Sequence, residues 1–243
     1  MATVLTDNQN YVDIANELRA KGVPGTFYPE EMAWGIASIP SGTPEIPMPS
    51  DYQRCEYIET QNNCAIQLDV IPNIKTRFTL DFSVSVLQDS AIIGGRETTM
   101  TNRVMLFFGQ WCVLQIGNQE IRLPDFVDVA ADHRYSVEVG GNVFRVDESE
   151  ATFAEPVFTI HYRPALYLFR FYSANNATAG STLDSRQWLG KLYEAKVWNG
   201  TVLVHHLIPC YHKINGTIGL WDSACGVFRK NALNGTFLKG ADV

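Results

Sequence analysis

The stretch Lys75–Val86, KTRFTLDFSVSV, decides the fold because its apolar and polar residues alternate. Successive side chains of a β-strand point to opposite faces, so this alternation predicts a strand with one face in the core and one in water. The face predicted to be buried carries Phe78, Leu80, Phe82, Val84 and Val86. The opposite face carries Arg77, Thr79, Asp81, Ser83 and Ser85.

Further short segments downstream of residue 50 have the same character. Strand candidates are 54–59, 64–69, 103–108, 112–116, 134–139, 143–146, 166–172, 190–198 and 202–208. Dipeptides typical of tight turns lie among them, namely Gly140-Gly141, Asn199-Gly200, Asn215-Gly216 and Asn234-Gly235. Many short strands with almost no helical periodicity predict a mainly β fold, an antiparallel jelly-roll β-sandwich over residues 51–243.

The composition is that of a folded, acidic chain. It has 243 residues, of which 46% are hydrophobic and 12% aromatic, enough to bury a large core. The formal net charge of −7 and the lack of any Lys or Arg run argue against nucleic acid and anionic lipid as partners. No segment is apolar enough for a membrane span or a signal peptide, so we expect a soluble protein made in a cytosol.

The cysteines predict neither a disulfide framework nor a zinc site. They are odd in number, scattered and without a CxxC pair: Cys55, Cys64, Cys112, Cys210 and Cys225. We expect reduced and mostly buried thiols.

Residues 1–39 predict a short helical hairpin. Apolar residues recur at helical spacing in the first helix, and Pro29 with two following acids suits the start of a second. Such a unit is too small to fold alone, so its apolar stripes must dock on the main domain or on another protein. The predicted anchor residues are Tyr11, Ile14, Leu18, Met32 and Ile36.

Residues 40–50 predict a proline-rich linker. Pro40, Pro44, Pro47 and Pro49 exclude helix and favour extended polyproline geometry. Two interpretations remain open for this segment, a semi-rigid spacer and a loop strapped across the surface of the next domain.

Two stretches that frame residues 51–243 resemble a known family. CEYIETQNNCAIQLDVIPNIKTRFTLDFS, near the start, resembles the opening strands of a concanavalin A-like jelly roll of the laminin G or pentraxin type, as encoded by phages and prophages of gut bacteria. The closing KLYEAKVWNGTVLVHHLIPCYHKINGTIGLWDSACGVFRKNALNGTFLKG is similar to that family's last strands. One departure is that His205 and His206 stand where related domains often carry an Arg-Asp pair.

The front stretch, YVDIANELRAKGVPGTFYPEEMAWGIASIP, resembles a short helical module of phage tail and other virion proteins. Together the resemblances imply a non-enzymatic phage virion protein, made in the bacterial host cytoplasm and anchored to other virion proteins by its N-terminal helices. The jelly roll would be displayed, in a homo-oligomer, for adhesion to host or mucosal glycans. The alternatives are a capsid or tail decoration protein that binds no sugar and, less favoured, a glycoside hydrolase.

Two polar stretches are the candidate binding loops, Gln88–Arg103 and Ser173–Gln187. Long loops on a rigid sandwich commonly carry recognition, and sugar binding needs an aromatic platform beside hydrogen-bonding groups. The predicted ligand-binding residues are the polar Arg96, Arg103, Asn175, Asn176 and Arg186 and the aromatic Trp111, Tyr172 and Trp188. The alternative is that these aromatics are core residues and the loops are merely solvated.

The sequence predicts no catalytic residue. A glycoside hydrolase of this fold class needs two carboxylates flanking the scissile bond, and the expected E-x-D-x-x-E spacing does not occur. Glu56 and Glu59 lie three apart, on opposite faces of a strand, and VDESE, residues 146–150, predicts a hairpin turn.

The sequence predicts no metal ligand either. Neighbouring residues on a strand face opposite ways, so His205 and His206 should not bind one ion together, and we expect exposed or half-buried histidines. Some laminin G and pentraxin relatives hold calcium at one rim through Asp and backbone oxygens. Because the chain has no D-x-D-x-D-G loop, we predict no cofactor and assign no ligand to calcium.

Overall fold

The computed structural model describes residues 45–97, 103–109, 111–123, 129–158, 165–174, 182–183 and 186–243. The predicted helical hairpin and its anchor residues Tyr11, Ile14, Leu18, Met32 and Ile36 lie outside these residues. Within them, no helix has the length and apolar character that crossing a membrane requires.

The described residues are mainly β, as predicted. In chain order the strands are β1 (Tyr52–Arg54), β2 (Ile58–Thr60), β3 (Ile66–Gln67), β4 (Thr76–Val84), β5 (Ala91–Glu97), β6 (Arg103–Phe108), β7 (Cys112–Ile116), β8 (Gln119–Arg122), β9 (Arg134–Gly140), β10 (Val143–Val146), β11 (Ser149–Thr152), β12 (Tyr167–Leu168), β13 (Tyr172–Ala174), β14 (Thr182–Leu183), β15 (Gly190–Asn199), β16 (Val202–His212), β17 (Ile218–Asp222), β18 (Val227–Lys230) and β19 (Phe237–Lys239).

The strands form two sheets. The first has the order β11-β10-β9-β4-β15-β16-β17-β18, with β1 beside β16 and with β2 pairing both β15 and β19. The second has the order β14-β13-β5-β6-β7-β8, with β12 joining β5 to β3. All pairings among the described strands are antiparallel except that of β5 with β13. The predicted antiparallel sandwich is therefore confirmed at the level of its two sheets.

The stretch that decided the fold becomes β4, in the middle of the first sheet. Phe78, Leu80, Phe82 and Val84 are buried, while Arg77 is exposed on the opposite face. The prediction is wrong for Val86, which is exposed because β4 ends at Val84.

The core lies between the two sheets and is rich in aromatic rings. The centroid of the Phe82 ring lies 4.8 Å from that of Phe108 and 5.7 Å from that of Trp188, both edge to face, and 6.0 Å from that of the tilted Tyr135 ring. Phe169 stacks on Trp188 with the ring centroids 5.9 Å apart. These contacts bring residues from both sheets together, since β4 belongs to the first sheet and β6 to the second.

One strand lies where the sequence predicted a loop. β5 occupies Ala91–Glu97, inside the stretch Gln88–Arg103. The pair Gly94-Gly95 resembles a turn signal, but both residues lie within β5. Glycine is needed at position 94 because a Cβ there would come 2.7 Å from the Cβ of Phe171. Close packing thus explains this glycine, and tertiary contact overrides the local turn preference.

The second half of the proline-rich segment lies on the sandwich. The Ile46 amide donates to the Ser223 carbonyl at 2.7 Å, and the Trp221 indole donates to the Ile46 carbonyl at 3.0 Å. Glu45 accepts from His206 Nδ1 at 2.7 Å. We call residues 45–50 the strap, and these contacts hold its start against the first sheet. Residues 40–44 lie outside the described residues, so the linker over residues 40–50 stays a prediction.

The cysteines are free thiols, as expected, with Cys225 exposed and Cys55, Cys64, Cys112 and Cys210 buried. Burial raises the pKa of Cys55 to about 11 and that of Cys210 to about 12. Such thiols are poor nucleophiles at neutral pH and act as small apolar core residues.

Candidate functional site

The outer face of the second sheet gathers polar and aromatic side chains. Along β6, Val104, Leu106 and Phe108 belong to the core, so by alternation Arg103, Met105 and Phe107 face outward. The neighbouring strands and their ends add side chains to the same side. We call this surface the arginine face; it comprises Arg96, Arg103, Phe107, Trp111, Gln115, Glu120, Arg122 and Arg186.

The arginine face has an apolar base. Met105 and Phe171 are buried here with Ala91, in a small cluster separate from the main core, and Phe107 packs against them. The guanidinium carbons of Arg96 and Arg186 lie 4.8 Å and 5.4 Å from the centre of the Phe171 ring. Cation–π contact therefore helps to hold both guanidinium groups on this face.

A chain of hydrogen bonds fixes the polar groups across three strands. Arg103 Nη1 on β6 donates to Gln115 Oε1 on β7 at 3.0 Å, and Gln115 Nε2 donates to Glu120 Oε2 on β8 at 2.9 Å. Arg122 donates to Glu120 Oε1 through Nε at 3.3 Å and Nη2 at 3.0 Å. The register explains the contacts, since Gln115 lies directly opposite Glu120.

The charges of these groups influence one another. Hydrogen bonds from Arg122 and then from Gln115 lower the pKa of Glu120, so it is a carboxylate at neutral pH. Burial lowers the pKa of Arg103, the charge of Glu120 opposes this, and the nearby charge of Arg96 lowers it further. The face thus combines one firmly ionised acid with arginines that repel each other.

An open cleft of about 220 Å³ lies on the arginine face. Trp111 forms one part of its lining and is 51% exposed. The other lining residues are Asp89, Phe107, Val113, Gln115, Glu120, Arg122 and Arg186. An exposed indole beside fixed donors and acceptors is the arrangement that sugar binding requires, a platform for the ring and partners for its hydroxyls.

The predicted ligand-binding residues divide into three groups. Arg96, Arg103, Trp111 and Arg186 come together on the arginine face. Trp188 does not, because it is fully buried in the core, and its prediction as a platform is corrected.

The remaining predicted residues are Tyr172, Asn175 and Asn176. Tyr172 lies on β13 opposite Gly95 of β5, and Asn175 and Asn176 lie outside the described residues. The sequence analysis missed Phe107, Gln115, Glu120 and Arg122, although alternation along β6, β7 and β8 places them on the same side as Arg103.

A second polar cluster lies on β16, β17 and β18 of the first sheet, around Asp222. This carboxylate is fully buried and accepts from His205 Nδ1 at 2.6 Å, from Arg229 Nε at 2.8 Å and from the His206 amide at 3.1 Å. Burial alone would raise the pKa of Asp222, but hydrogen bonds from His205, Cys225 and Arg229 outweigh it and lower the pKa to about 2. A cleft of about 550 Å³ adjoins the cluster.

His205, Asp222 and Cys225 have ligand atoms within 4.8 Å of one another, a spacing at which they could hold a metal ion. The guanidinium of Arg229 contacts all three, however, with Nε 2.8 Å from Asp222, and Nη2 3.4 Å from His205 Nδ1 and 3.6 Å from Cys225 Sγ. A protein cation therefore occupies the position that a metal would take. The cluster is better explained as a structural ion pair than as a metal centre.

The two adjacent histidines face opposite ways, as predicted. His206 bonds Glu45 at 2.7 Å and Glu194 at 2.8 Å, on the opposite side of β16 from His205. Both rings are buried, with 3% and 5% exposure, so the expectation of exposed or half-buried histidines is wrong. Each buried ring is hydrogen-bonded to carboxylates, Asp222 for His205 and both Glu45 and Glu194 for His206, and the sequence spacing does not reveal these partners.

One pair of carboxylates lies side by side on the outer face of the first sheet, Asp81 of β4 opposite Glu194 of β15. Asp81 accepts a bidentate pair of bonds from Arg134 at 2.7 and 2.6 Å. The hydrogen bond from His206 lowers the pKa of Glu194 to about 2, with a further contribution from Lys196. A glycosidase acid needs a raised pKa, so this pair is suited to ion pairing rather than to proton donation.

Comparison of the sequence with protein-family models gives no match, and comparison with curated proteins gives none either. Among solved structures, the chain is similar to a crystal structure from Bacteroides ovatus ATCC 8483 described as "a putative carbohydrate binding protein". The TM-score is 0.52 at 13% sequence identity, and the similarity covers 78% of this chain and 62% of that chain. This chain therefore spans less than two thirds of the Bacteroides protein, and the similarity establishes a shared β-sandwich fold.

Proposed function

We propose that the protein is a carbohydrate-binding protein that takes glycans on the arginine face. The observation that carries this proposal is Trp111, which is half exposed at a cleft also lined by Gln115, Glu120 and Arg122, donors and acceptors that hydrogen bonds hold in place. The fold shared with a protein described as carbohydrate binding is in keeping with it.

The arginine face offers each kind of contact that a sugar needs. The indole of Trp111 provides an apolar platform for the C–H face of a pyranose ring. Arg122 and Gln115 supply donors for ring hydroxyls, and the ionised Glu120 supplies an acceptor. Because Gln115 and Arg122 already hold Glu120, the site is organised before a ligand arrives, which lowers the entropic cost of binding.

Binding without cleavage fits this chemistry better than hydrolysis. Glu120 has a lowered pKa, as has Glu194 on the other sheet, whereas a catalytic acid must hold its proton near neutral pH. A released-sugar assay on the glycans that bind tests this point directly. Turnover by the purified protein would replace the binding proposal with an enzymatic one.

The proposed setting is a phage virion, in which the sandwich is displayed for adhesion to host or mucosal glycans. The support for it is the resemblance of both ends of the sandwich and of residues 11–40 to phage-encoded proteins. In this setting Ile14 and Leu18 belong to the anchor, so I14D/L18D should abolish incorporation into particles or self-association. The thermal midpoint of the sandwich should stay unchanged.

A glycan array with the full chain tests the proposed function. We expect a defined subset of glycans to bind, and Trp111→Ala to weaken their binding at least about tenfold, because stacking and hydrogen bonding both depend on the ring position. The matched control is Trp198→Ala, which removes an indole from the outer face of the first sheet and should leave binding unchanged. Absence of binding to any glycan would favour the decoration protein, which holds no sugar.

A further inference from the structure

The cleft of about 550 Å³ beside the Asp222 cluster is separate from the arginine face, and we call it the Arg229 cleft. It lies where the segment after β3 meets β16 and β18. Small-ligand sites are mostly apolar and have volumes of about 300–1,000 Å³. The apolar lining residues of this cleft are Val70, Ile71, Val204 and Val227, of which Ile71 is 56% and Val227 45% exposed. Size and lining are therefore those of a site for a small molecule.

The guanidinium of Arg229 has one nitrogen that lacks a good acceptor. Of its five N–H donors, that of Nε goes to Asp222, and those of Nη1 go to Asp69 and to a backbone carbonyl. In the part of the chain that the structure describes, Nη2 meets Cys225 Sγ at 3.6 Å and His205 Nδ1 at 3.4 Å. A thiol is a weak acceptor, and Nδ1 is itself the donor in the 2.6 Å bond to the Asp222 carboxylate. The hydrogens of Nη2 are thus available to a ligand.

Nη2 is on the cleft side of the guanidinium. Its two neighbours, His205 and Cys225, line the cleft, as does Asp69, the partner of Nη1. Asp222, the partner of Nε, is not among the lining residues. The Arg229 side chain is only 10% exposed, and a hydrogen bond in such a poorly solvated place is stronger than one in water.

His205 adds an acceptor beside this donor. Its Nδ1 edge is turned to Asp222, so the edge left for the cleft carries Nε2. Nε2 is buried and has no hydrogen-bond partner among the described residues. Because Nδ1 holds the hydrogen of the bond to Asp222, Nε2 of the neutral ring is an acceptor. The cleft thus offers one donor and one acceptor next to its apolar walls.

The charges beside the cleft favour a neutral ligand. Arg229 contacts two carboxylates, Asp222 at 2.8 Å and Asp69 at 3.0 Å, which compensate its charge. These carboxylates would repel an anion, and the guanidinium would repel a cation. A hydroxyl group is neutral, and it can accept from Nη2 while it donates to Nε2. A hydroxyl therefore satisfies both nitrogens at once.

We propose that the Arg229 cleft binds a small, mostly apolar alcohol, with its hydroxyl between Arg229 Nη2 and His205 Nε2 and its hydrocarbon body against the apolar walls. This site is independent of the carbohydrate binding proposed for the arginine face. A sugar fits the cleft less well, because its other hydroxyls would lie against apolar side chains without partners. Since Asp222 holds both Arg229 and His205 in place, the two polar contacts are organised before the ligand arrives.

Four molecules that share a six-membered carbon ring test the head group on the full chain: cyclohexanol, cyclohexanone, cyclohexylamine and cyclohexanecarboxylate. The ketone can only accept, and the last two are charged at neutral pH. In amide NMR titrations, cyclohexanol should shift the signals of cleft residues and bind at least about tenfold more tightly than each of the other three. The nitrogen NMR signal of His205 Nε2 should move on addition of cyclohexanol, because this atom gains a hydrogen bond.

A variant at the mouth of the cleft leaves Arg229 and His205 in place. Val227→Trp should fill the cleft and weaken cyclohexanol binding at least about tenfold. The matched control is Val86→Trp, since Val86 is 46% exposed and follows the end of β4 that is remote from the cleft residue Asn199. The control should bind cyclohexanol as the wild type does. Equal thermal midpoints of the two variants exclude misfolding as the cause of lost binding.

The thiol of Cys225 reports occupancy of the cleft without any substitution. Cys225 lines the cleft and is exposed, whereas the other four cysteines are buried. N-Ethylmaleimide should therefore alkylate Cys225 first, and saturating cyclohexanol should slow this reaction at least about threefold. Cyclohexanone at the same concentration should slow it much less. Mass spectrometry follows the reaction, and Cys225→Ser is the control that lacks the fast site.

Several results would overturn the inference. Equal affinity for cyclohexanol and cyclohexanone would mean that Nε2 takes no part, and equal affinity for a charged member would contradict the neutral site. Cyclohexanol binding that persists in Val227→Trp, or that is lost equally in Val86→Trp, would place the ligand elsewhere, as would a titration without shifts at the cleft. Methyl glucoside binding in the cleft as tightly as cyclohexanol would replace the alcohol by a sugar. Glycan binding on the arginine face is read separately, from Trp111→Ala.

Discussion

Replacing the buried Asp222 by Asn should destabilise the sandwich by several kcal/mol at neutral pH. Asp222 is fully buried, and Arg229, 10% exposed, donates to it at 2.8 Å. Lowering a carboxyl pKa from 3.8 to about 2 corresponds to roughly 2–3 kcal/mol of stability at pH 7. Because the variant also leaves Arg229 buried without its charged partner, the total cost should reach about 3–5 kcal/mol.

The pH dependence of this effect has a definite sign. Since the pKa of Asp222 is lower in the folded state, its contribution is present above about pH 4 and is lost as the pH falls through about 2. Urea unfolding at pH 7 and at pH 3 should therefore show a large difference between wild type and Asp222→Asn at pH 7 and a smaller one at pH 3. Equal slopes of free energy against urea would confirm that the unfolded states are comparable.

Asp69→Asn is the matched control for this prediction. Asp69 bonds the same guanidinium, with 3.0 Å to Arg229 Nη1, but its side chain is 72% exposed. Solvent screens such a pair, so its loss should cost less than about 1 kcal/mol. If Asp69→Asn and Asp222→Asn cost the same at pH 7, or if the cost of the latter does not fall with pH, the account of Asp222 as the centre of a buried ion pair is wrong.

The other predictions concern the core and the thiols. Phe82→Ala should cost about 3–5 kcal/mol in urea unfolding, because it opens a cavity against Phe108 and Trp188, whereas Thr79→Ala on the outer face of the same strand should stay within about 1 kcal/mol. Gly94→Ala should lower the free energy of unfolding by about 1–3 kcal/mol, because the added Cβ would overlap the Cβ of Phe171; an unchanged midpoint would contradict the close packing there. Thermal midpoints with and without reductant should agree, and a large drop on reduction would mean that a disulfide forms.

The period-two pattern of residues 75–84 was enough to predict the central strand. A strand that buries one of its two faces shows alternating apolar and polar residues in its sequence. β5 left no such trace. Its Ile92 and Ile93 are both buried, with a register shift between Ala91 and Ile93, and its two glycines imitate a turn. Irregular strands and close-packed glycines take their form from neighbours that are distant in sequence, so local patterns misplace them.

Sequence patterns predicted some residues of the candidate site and missed others. Trp111 and Trp188 each follow a glutamine in the sequence, yet one is 51% exposed and the other is fully buried. Which of the two meets solvent depends on the packing of the second sheet against the first, which no local spacing encodes. By contrast, Gln115 and Glu120 follow from alternation along two adjacent strands once the β7–β8 hairpin is recognised. The link from Asp222 to Arg229 is set by the pairing of β17 with β18 and by burial.

The strap has a consequence for how the sandwich can be presented. Glu45 reaches His206 beside Glu194, which lies on the same outer face of the first sheet as Asp81. Glu45 therefore lies on the side of the first sheet that is turned away from the second sheet. The strap therefore leaves the arginine face uncovered, since that face belongs to the second sheet.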